Sequence, residues 1–159
     1  MANKKTEIIT FGAGCFWHVQ AAFDKLKGVT KTTVGYMGGT TQNPSYEEVC
    51  TDKTGHVEVC QVEFDPLVIS LEKVLQAFWQ MHDPTQLNRQ GPDIGSQYRS
   101  VIFFHKKKQQ ELAEQSKRDL IESAKYKDQI MTEILPAQTF FKAEDYHQKY
   151  FVKTGKKVC

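Results

Sequence analysis

The amino-acid sequence predicts an α+β domain, a two-layer sandwich on a βαββαβ core with long loops and an irregular C-terminal tail. Three observations predict it. Strand-like runs alternate with helical apolar spacing in the order strand, helix, strand, strand, helix, strand, the split order of ferredoxin-like folds. The length of 159 residues suits one core, and no repeat, low-complexity tract or linker divides it, so residues 1–159 read as a single domain. Two polar stretches, 36–55 and 83–95, are longer than ordinary connections, and loops of that length are often functional.

Each element has its own signal. Residues 6–11 form the first strand, closed by the turn Gly12-Ala13-Gly14. From Cys15 onward Phe16, Val19, Ala22, Phe23 and Leu26 recur at helical spacing, and Gly28 ends the helix. Residues 29–35 are rich in β-branched side chains and give the second strand. Beyond the first long loop, 56–64 alternates as a third strand, which Asp65-Pro66 stops. Ser70 caps a helix whose inner face carries Leu71, Val74, Leu75, Phe78, Trp79 and His82. The fourth strand covers 98–104. A helix over 107–123, a strand over 129–135 and a short helix over 143–150 follow, and the rest of the end is irregular.

Composition excludes several function classes. A net charge of +2 is too small to point to nucleic acid, and the run Lys106-Lys107-Lys108 reads as a solvated helix start. No apolar run is long enough to cross a bilayer. The N-terminal segment has a charged start but no apolar stretch with a cleavage site, so a cytoplasmic protein is expected. No apolar helix face is left over, and a monomer is expected. In a reducing compartment Cys15, Cys50, Cys60 and Cys159 read as buried fillers or redox-active thiols rather than structural staples. None of them shows CxxC spacing, so neither a zinc site nor a thioredoxin-type dithiol is indicated.

Cys15 sits where a strand passes through two glycines into a helix N-terminus. Unpaired amides and the helix dipole there favour a thiolate. On position alone, a buried cysteine filling a tight turn is an equal reading. Trp17 lies off the helix's apolar stripe, so Phe16 and Trp17 could together form an apolar pocket for a small alkyl group. Glu58 shares one face of the third strand with Cys60, Val62 and Phe64. Burial there would raise its pKa and suit it to act as a general acid; taken alone, it reads as a surface acid at a solvated strand end. His56, on the same face, supports the loop. Tyr46, Tyr98 and Asp93 lie in or beside the long loops, where hydroxyls can donate to a polar substrate oxygen. Cys159, the last residue, could resolve a sulfenic acid into a disulfide, with Cys50 as the competing resolver and Cys60 as a core residue.

Gly14-Cys15-Phe16-Trp17 resembles the GCFW signature of the methionine sulfoxide reductase A family. The segments GYMGGTTQNPSYEEVC (35–50), TGHVEV (54–59), FDP (64–66) and HDPTQLNRQGPDIGSQYRS (82–100) agree in order and spacing. The resemblance covers nearly the whole chain. It implies that Cys15 attacks the sulfur of methionine S-sulfoxide, free or in a protein. It implies that Glu58 protonates the oxygen held by Tyr46 and Tyr98, that Phe16 and Trp17 cradle the methyl group, and that Asp93 organises the substrate site. Cys159 then resolves the sulfenic acid and thioredoxin reduces the disulfide, with dithiothreitol as the reductant in vitro and no metal or organic cofactor. His18 departs from the family pattern, which carries a small residue or cysteine there. The tail carries one cysteine where some members have two. Competing readings are a cysteine peroxidase or thiol hydrolase using Cys15, and a non-enzymatic binding module whose aromatics grip a ligand.

Overall fold

The computed structural model describes residues 6–156. In chain order the elements are β1 (Glu7–Ala13), α1 (Phe16–Asp24), β2 (Val29–Met37), α2 (Tyr46–Val49), β3 (Val57–Phe64) and α3 (Leu71–Gln80). They continue with β4 (Arg89–Gln90), β5 (Asp93–Ile94), a 3₁₀ turn at Ser96–Tyr98, β6 (Ser100–Phe104) and α4 (Lys107–Glu122). The end holds β7 (Glu133–Pro136), β8 (Phe141–Lys142), a 3₁₀ turn at Asp145–His147 and α5 (Tyr150–Thr154). Six strands form one sheet in the order β7-β6-β1-β3-β2-β8. Its inner four, β6-β1-β3-β2, are antiparallel throughout, as the split βαββαβ order requires.

One face of the sheet is covered by helices. The Phe11 ring of β1 stacks on Phe23 of α1 at 5.1 Å and on Phe78 of α3 at 4.9 Å. Each such buried side chain contributes roughly 2–3 kcal/mol, so the three rings lock both helices to the central strand. Ser70 caps α3 as expected, its Oγ accepting from the Lys73 amide at 3.2 Å. The Trp79 indole N–H of α3 donates to Ser116 Oγ of α4.

The tail departs from expectation. Rather than lying loose, it covers the opposite face of the sheet, where Leu135, Ala137 and Phe140 pack on Met37, Val57, Val59, Val101 and Phe103. That second covering is why β3 is buried on both faces around Glu58. β8 extends the sheet beyond β2, pairing Gly35 with Lys142. The helix expected over 143–150 is instead a 3₁₀ turn followed by α5. Two contacts cause this. Gln148 accepts from the Val34 amide at 3.0 Å and donates to the Val34 carbonyl at 2.9 Å, pinning the tail to the edge of β2. Lys149 then adopts φ 56°, a left-handed conformation that interrupts any helix.

The long loops are also more ordered than polarity suggested. Ser45-Tyr46-Glu47-Glu48 forms a capping box, with Ser45 Oγ accepting from the Glu48 amide at 3.1 Å and Glu48 accepting from the Ser45 amide at 2.9 Å. In the second loop, β4 and β5 pair as a small hairpin. β1 runs two residues further than expected, through Gly12. A Cβ at that position would meet Val57 Cγ1 at 2.5 Å and Val101 Cγ1 at 2.9 Å, so glycine keeps the strand straight between its neighbours.

Candidate active site

Because β1 runs antiparallel to β3 and β6, its exit lies at the same end of the sheet as their starts; Ala13 pairs with Ser100. Loops carrying most of the predicted residues therefore converge there. Gly14 makes the turn out of β1 at φ +94°, and a Cβ on it would meet Gln90 Cβ and Cγ at 2.9 Å. Only glycine fits this position without strain. We expect Gly14→Ala to lower stability by about 1–3 kcal/mol and to shift the residue after it, read as a drop in Tm together with lost activity.

Cys15 is the N-cap residue of α1, its carbonyl accepting from the Val19 amide at 3.3 Å. It is half-buried and is disulfide-bonded in this structure. Cys50 and Cys60 are free thiols, the first exposed and the second buried. Burial pushes the Cys60 thiol far up, and it belongs to the apolar core as expected. For Cys50, partial burial and the carboxylates of Glu58 and Glu47 raise the thiol pKa, although a hydrogen bond with Tyr46 opposes them. Cys159 lies outside the described residues.

Glu58 is 1% exposed. Its Oε1 accepts from the backbone N–H of Phe16, the residue after Cys15, at 3.3 Å, which ties the carboxyl to the first turn of α1. Its Oε2 is buried without a hydrogen-bond partner among the described residues. Burial pushes the Glu58 pKa up to about 8, against the lowering effect of the Phe16 amide and with help from the nearby Asp93 carboxylate. At neutral pH the group is mostly a protonated acid, with one oxygen that no described residue partners.

The other predicted residues surround this pair. Tyr46, on α2 rather than in irregular loop, and Tyr98, at the end of its 3₁₀ turn, are both half-buried. Burial and the charge of Glu58 raise both phenols far above their ordinary values, so both stay hydroxyl donors. Asp93 stands on β5 and contributes to the rise of both Glu58 and Tyr98. Phe16 is buried and Trp17 half-buried, with Tyr46 ring centroids 6.4 and 6.5 Å from theirs. His56 is buried, accepts from the Gly39 amide at 3.0 Å and contacts the Thr41 carbonyl at 2.7 Å, so it supports the loop as expected. His18 is exposed.

Four residues near this site carried no expectation. Tyr150 stacks on Trp17 at 3.8 Å. The Trp17 indole N–H donates to His147 Nδ1 at 2.9 Å. Glu144 accepts from the Tyr36 hydroxyl at 2.9 Å and from the Tyr46 amide at 3.0 Å. Only the Tyr-His-Gln cluster at 146–148 in an otherwise unpatterned tail could have drawn attention to them. Among the described residues, no group of three or more His, Cys, Asp or Glu side chains is placed to hold a metal ion. No helix there is long and apolar enough to cross a membrane.

Comparison with known proteins gives a consistent picture. The family model described as peptide methionine sulfoxide reductase matches residues 7–159. Peptide methionine sulfoxide reductase MsrA of Methanothermobacter thermautotrophicus is 54% identical over 159 residues, covering 100% of this chain and 94% of that protein. The crystal structure of Mxr1 from Saccharomyces cerevisiae in reduced form is similar with a TM-score of 0.92 at 33% identity, over 99% of this chain and 91% of the other. Methionine sulfoxide reductase A of Corynebacterium diphtheriae gives a TM-score of 0.87 at 36% identity, over 99% of this chain and 79% of the other.

Proposed function

This chain belongs to the peptide methionine sulfoxide reductase family, and on that premise we propose that it reduces methionine S-sulfoxide, free or in proteins, with Cys15 as nucleophile and Glu58 as acid. One observation carries the assignment. A buried carboxyl is fastened to the residue beside Cys15 and keeps one oxygen without a partner among the described residues.

The chemistry needs that pairing. A sulfoxide oxygen leaves sulfur poorly unless it is protonated, and thiolate attack builds negative charge on it. Glu58 gives its proton to the oxygen while the Tyr46 and Tyr98 hydroxyls donate to it. The Cys15 sulfur attacks the sulfoxide sulfur to form an S–S bond; the hydroxyl then passes from that sulfur to the Cys15 sulfur as the S–O and S–S bonds break, and methionine departs with the S–S electron pair. The oxygen finishes on Cys15 as a sulfenic acid. Phe16 and Trp17 hold the methyl group. The opposite epimer would place its oxygen among rings with no donor, at a cost of roughly 1–3 kcal/mol. Asp93 orders the polar side of the site. These steps call for no metal or prosthetic group.

Resolution follows by attack of a second thiol on the sulfenic sulfur, forming a disulfide and releasing water. We assign this thiol to Cys159; the raised pKa of Cys50 and the core burial of Cys60 leave both poorly suited. Thioredoxin then reduces the disulfide in the cytoplasm, and the protein works as a monomer. With one equivalent of sulfoxide and no reductant, the parent enzyme should lose two thiols. Cys50→Ser should do the same, while Cys159→Ser should lose one and yield a sulfenic acid that dimedone traps. Loss of two thiols in Cys159→Ser would move the resolving role elsewhere.

The function is tested by supplying each epimer of methionine sulfoxide, a peroxide and an ester under dithiothreitol. Turnover of the S-sulfoxide is the expected result. Turnover of the peroxide or ester alone would replace this reading with a peroxidase or hydrolase.

A further inference from the structure

His147 is fully buried, and among the described residues its imidazole makes one hydrogen bond, accepting at Nδ1 from the Trp17 indole N–H at 2.9 Å. An indole nitrogen can only donate, so Nδ1 carries no proton and the ring is neutral with its proton on Nε2. That second nitrogen is buried with no partner among the described residues. Around the imidazole stand the rings of Phe16, Tyr46 and Tyr146, with centroids 5.2, 4.4 and 4.0 Å from its own.

An apolar side chain of similar size would fill this place without burying an unsatisfied N–H. What histidine supplies that such a residue cannot is the acceptor for Trp17. The backbone that presents it is held firmly on both sides. Glu144 takes the Tyr36 hydroxyl and the Tyr46 amide, Gln148 grips Val34, and the Lys149 amide donates to Gln20 of α1 at 2.7 Å. Trp17 is thus clamped between the Tyr150 face at 3.8 Å and a hydrogen bond aimed from a rigid strap.

We propose that His147 is a positioning residue that fixes the Trp17 indole as one wall of the methyl pocket and so sets the size of alkyl group the enzyme accepts. This rests on the assignment of Trp17 to substrate binding made above. The imidazole exchanges no proton with the substrate; it acts through the orientation of Trp17.

Steady-state kinetics with methionine S-sulfoxide and its S-ethyl homologue test this. His147→Leu should raise KM for the methyl substrate about 5- to 10-fold, the worth of one neutral hydrogen bond, with kcat changed less than about 3-fold. Its preference for methyl over ethyl should fall by a similar factor. His147→Asn, whose Oδ1 can replace Nδ1 as acceptor, should restore both quantities to near the parent values. Should His147→Leu not fold, His147→Gln, with its amide set further out, takes its place. An unchanged KM, or an Asn variant no better than Leu, overturns the proposal. Trp17→Phe is the control. If it raises KM while His147→Leu does not, only the role of His147 fails. If Trp17→Phe leaves KM unchanged, the substrate-binding assignment of Trp17 fails with it.

Discussion

Cys15→Ser is expected to lose sulfoxide reduction by a factor on the order of 10⁴ or more, with the fold intact by circular dichroism. A serine hydroxyl keeps the volume and its place as N-cap residue. It does not ionise near neutral pH, however, and it has no sulfur on which to receive the oxygen. Serine is also a good N-cap residue, so stability should match that of the parent with its Cys15 disulfide reduced. The measurement is single-turnover release of methionine at saturating sulfoxide. Residual activity within about 100-fold of the parent would assign the nucleophile to another thiol, and Cys50, hydrogen-bonded to Tyr46, would be the first to test.

Glu58→Gln is the second large effect. We expect kcat to fall by roughly 10²–10⁴-fold, the usual contribution of a positioned general acid. The side-chain amide can still accept from the Phe16 N–H, so geometry is kept and the labile proton is lost. The pH profile separates the two. In the parent enzyme Glu58 is protonated below about 8, so activity should decline as pH rises through that value, and the variant should lack this decline. Stability should move the other way. A carboxyl whose folded pKa lies above its unfolded value of 4.5 destabilises the fold progressively as pH rises from there to about 8. At pH 7 this amounts to roughly 3 kcal/mol. Glu58→Gln should therefore melt several degrees above the parent at pH 7 to 8, and the difference should vanish near pH 4. An inactive variant that is more stable is what a strained catalytic acid predicts.

How much of this was legible depended on how far apart in sequence the partners lie. The strand–glycine–cysteine–helix passage at 12–16 is local, so Cys15, Phe16 and Trp17 could be read from residue type and period alone. Glu58 was legible through strand alternation, because its neighbours Cys60, Val62 and Phe64 mark one face. Its depth of burial was not. That depends on the start of α1 and the loops bearing Tyr46, Asp93 and Tyr98 closing over the same face, contacts without any local signal. Tyr46, Tyr98 and Asp93 stood out by family resemblance; as single polar residues in loops they look like many others. The tail was read least well. His147 meets Trp17 across 130 residues, and Glu144 meets the Tyr46 amide across 98. Such pairings leave no periodicity, and the 143–150 segment resembled a helix until its side chains were committed to β2. The capping box at Ser45–Glu48, by contrast, was present in the sequence as an S-x-x-E pattern and marks α2 without further help.

The central claim is that Glu58 stands as an uncharged acid beside Cys15 at the pH where the enzyme works. Difference infrared spectroscopy of the parent against Glu58→Gln, taken from about pH 5 to about pH 10, reads that proton directly. A protonated-carboxyl band that persists through neutrality and disappears with a midpoint near 8 is the predicted result. A band already gone by about pH 6 would show an ordinary ionised carboxylate, and the proton for the departing oxygen would have to come from elsewhere.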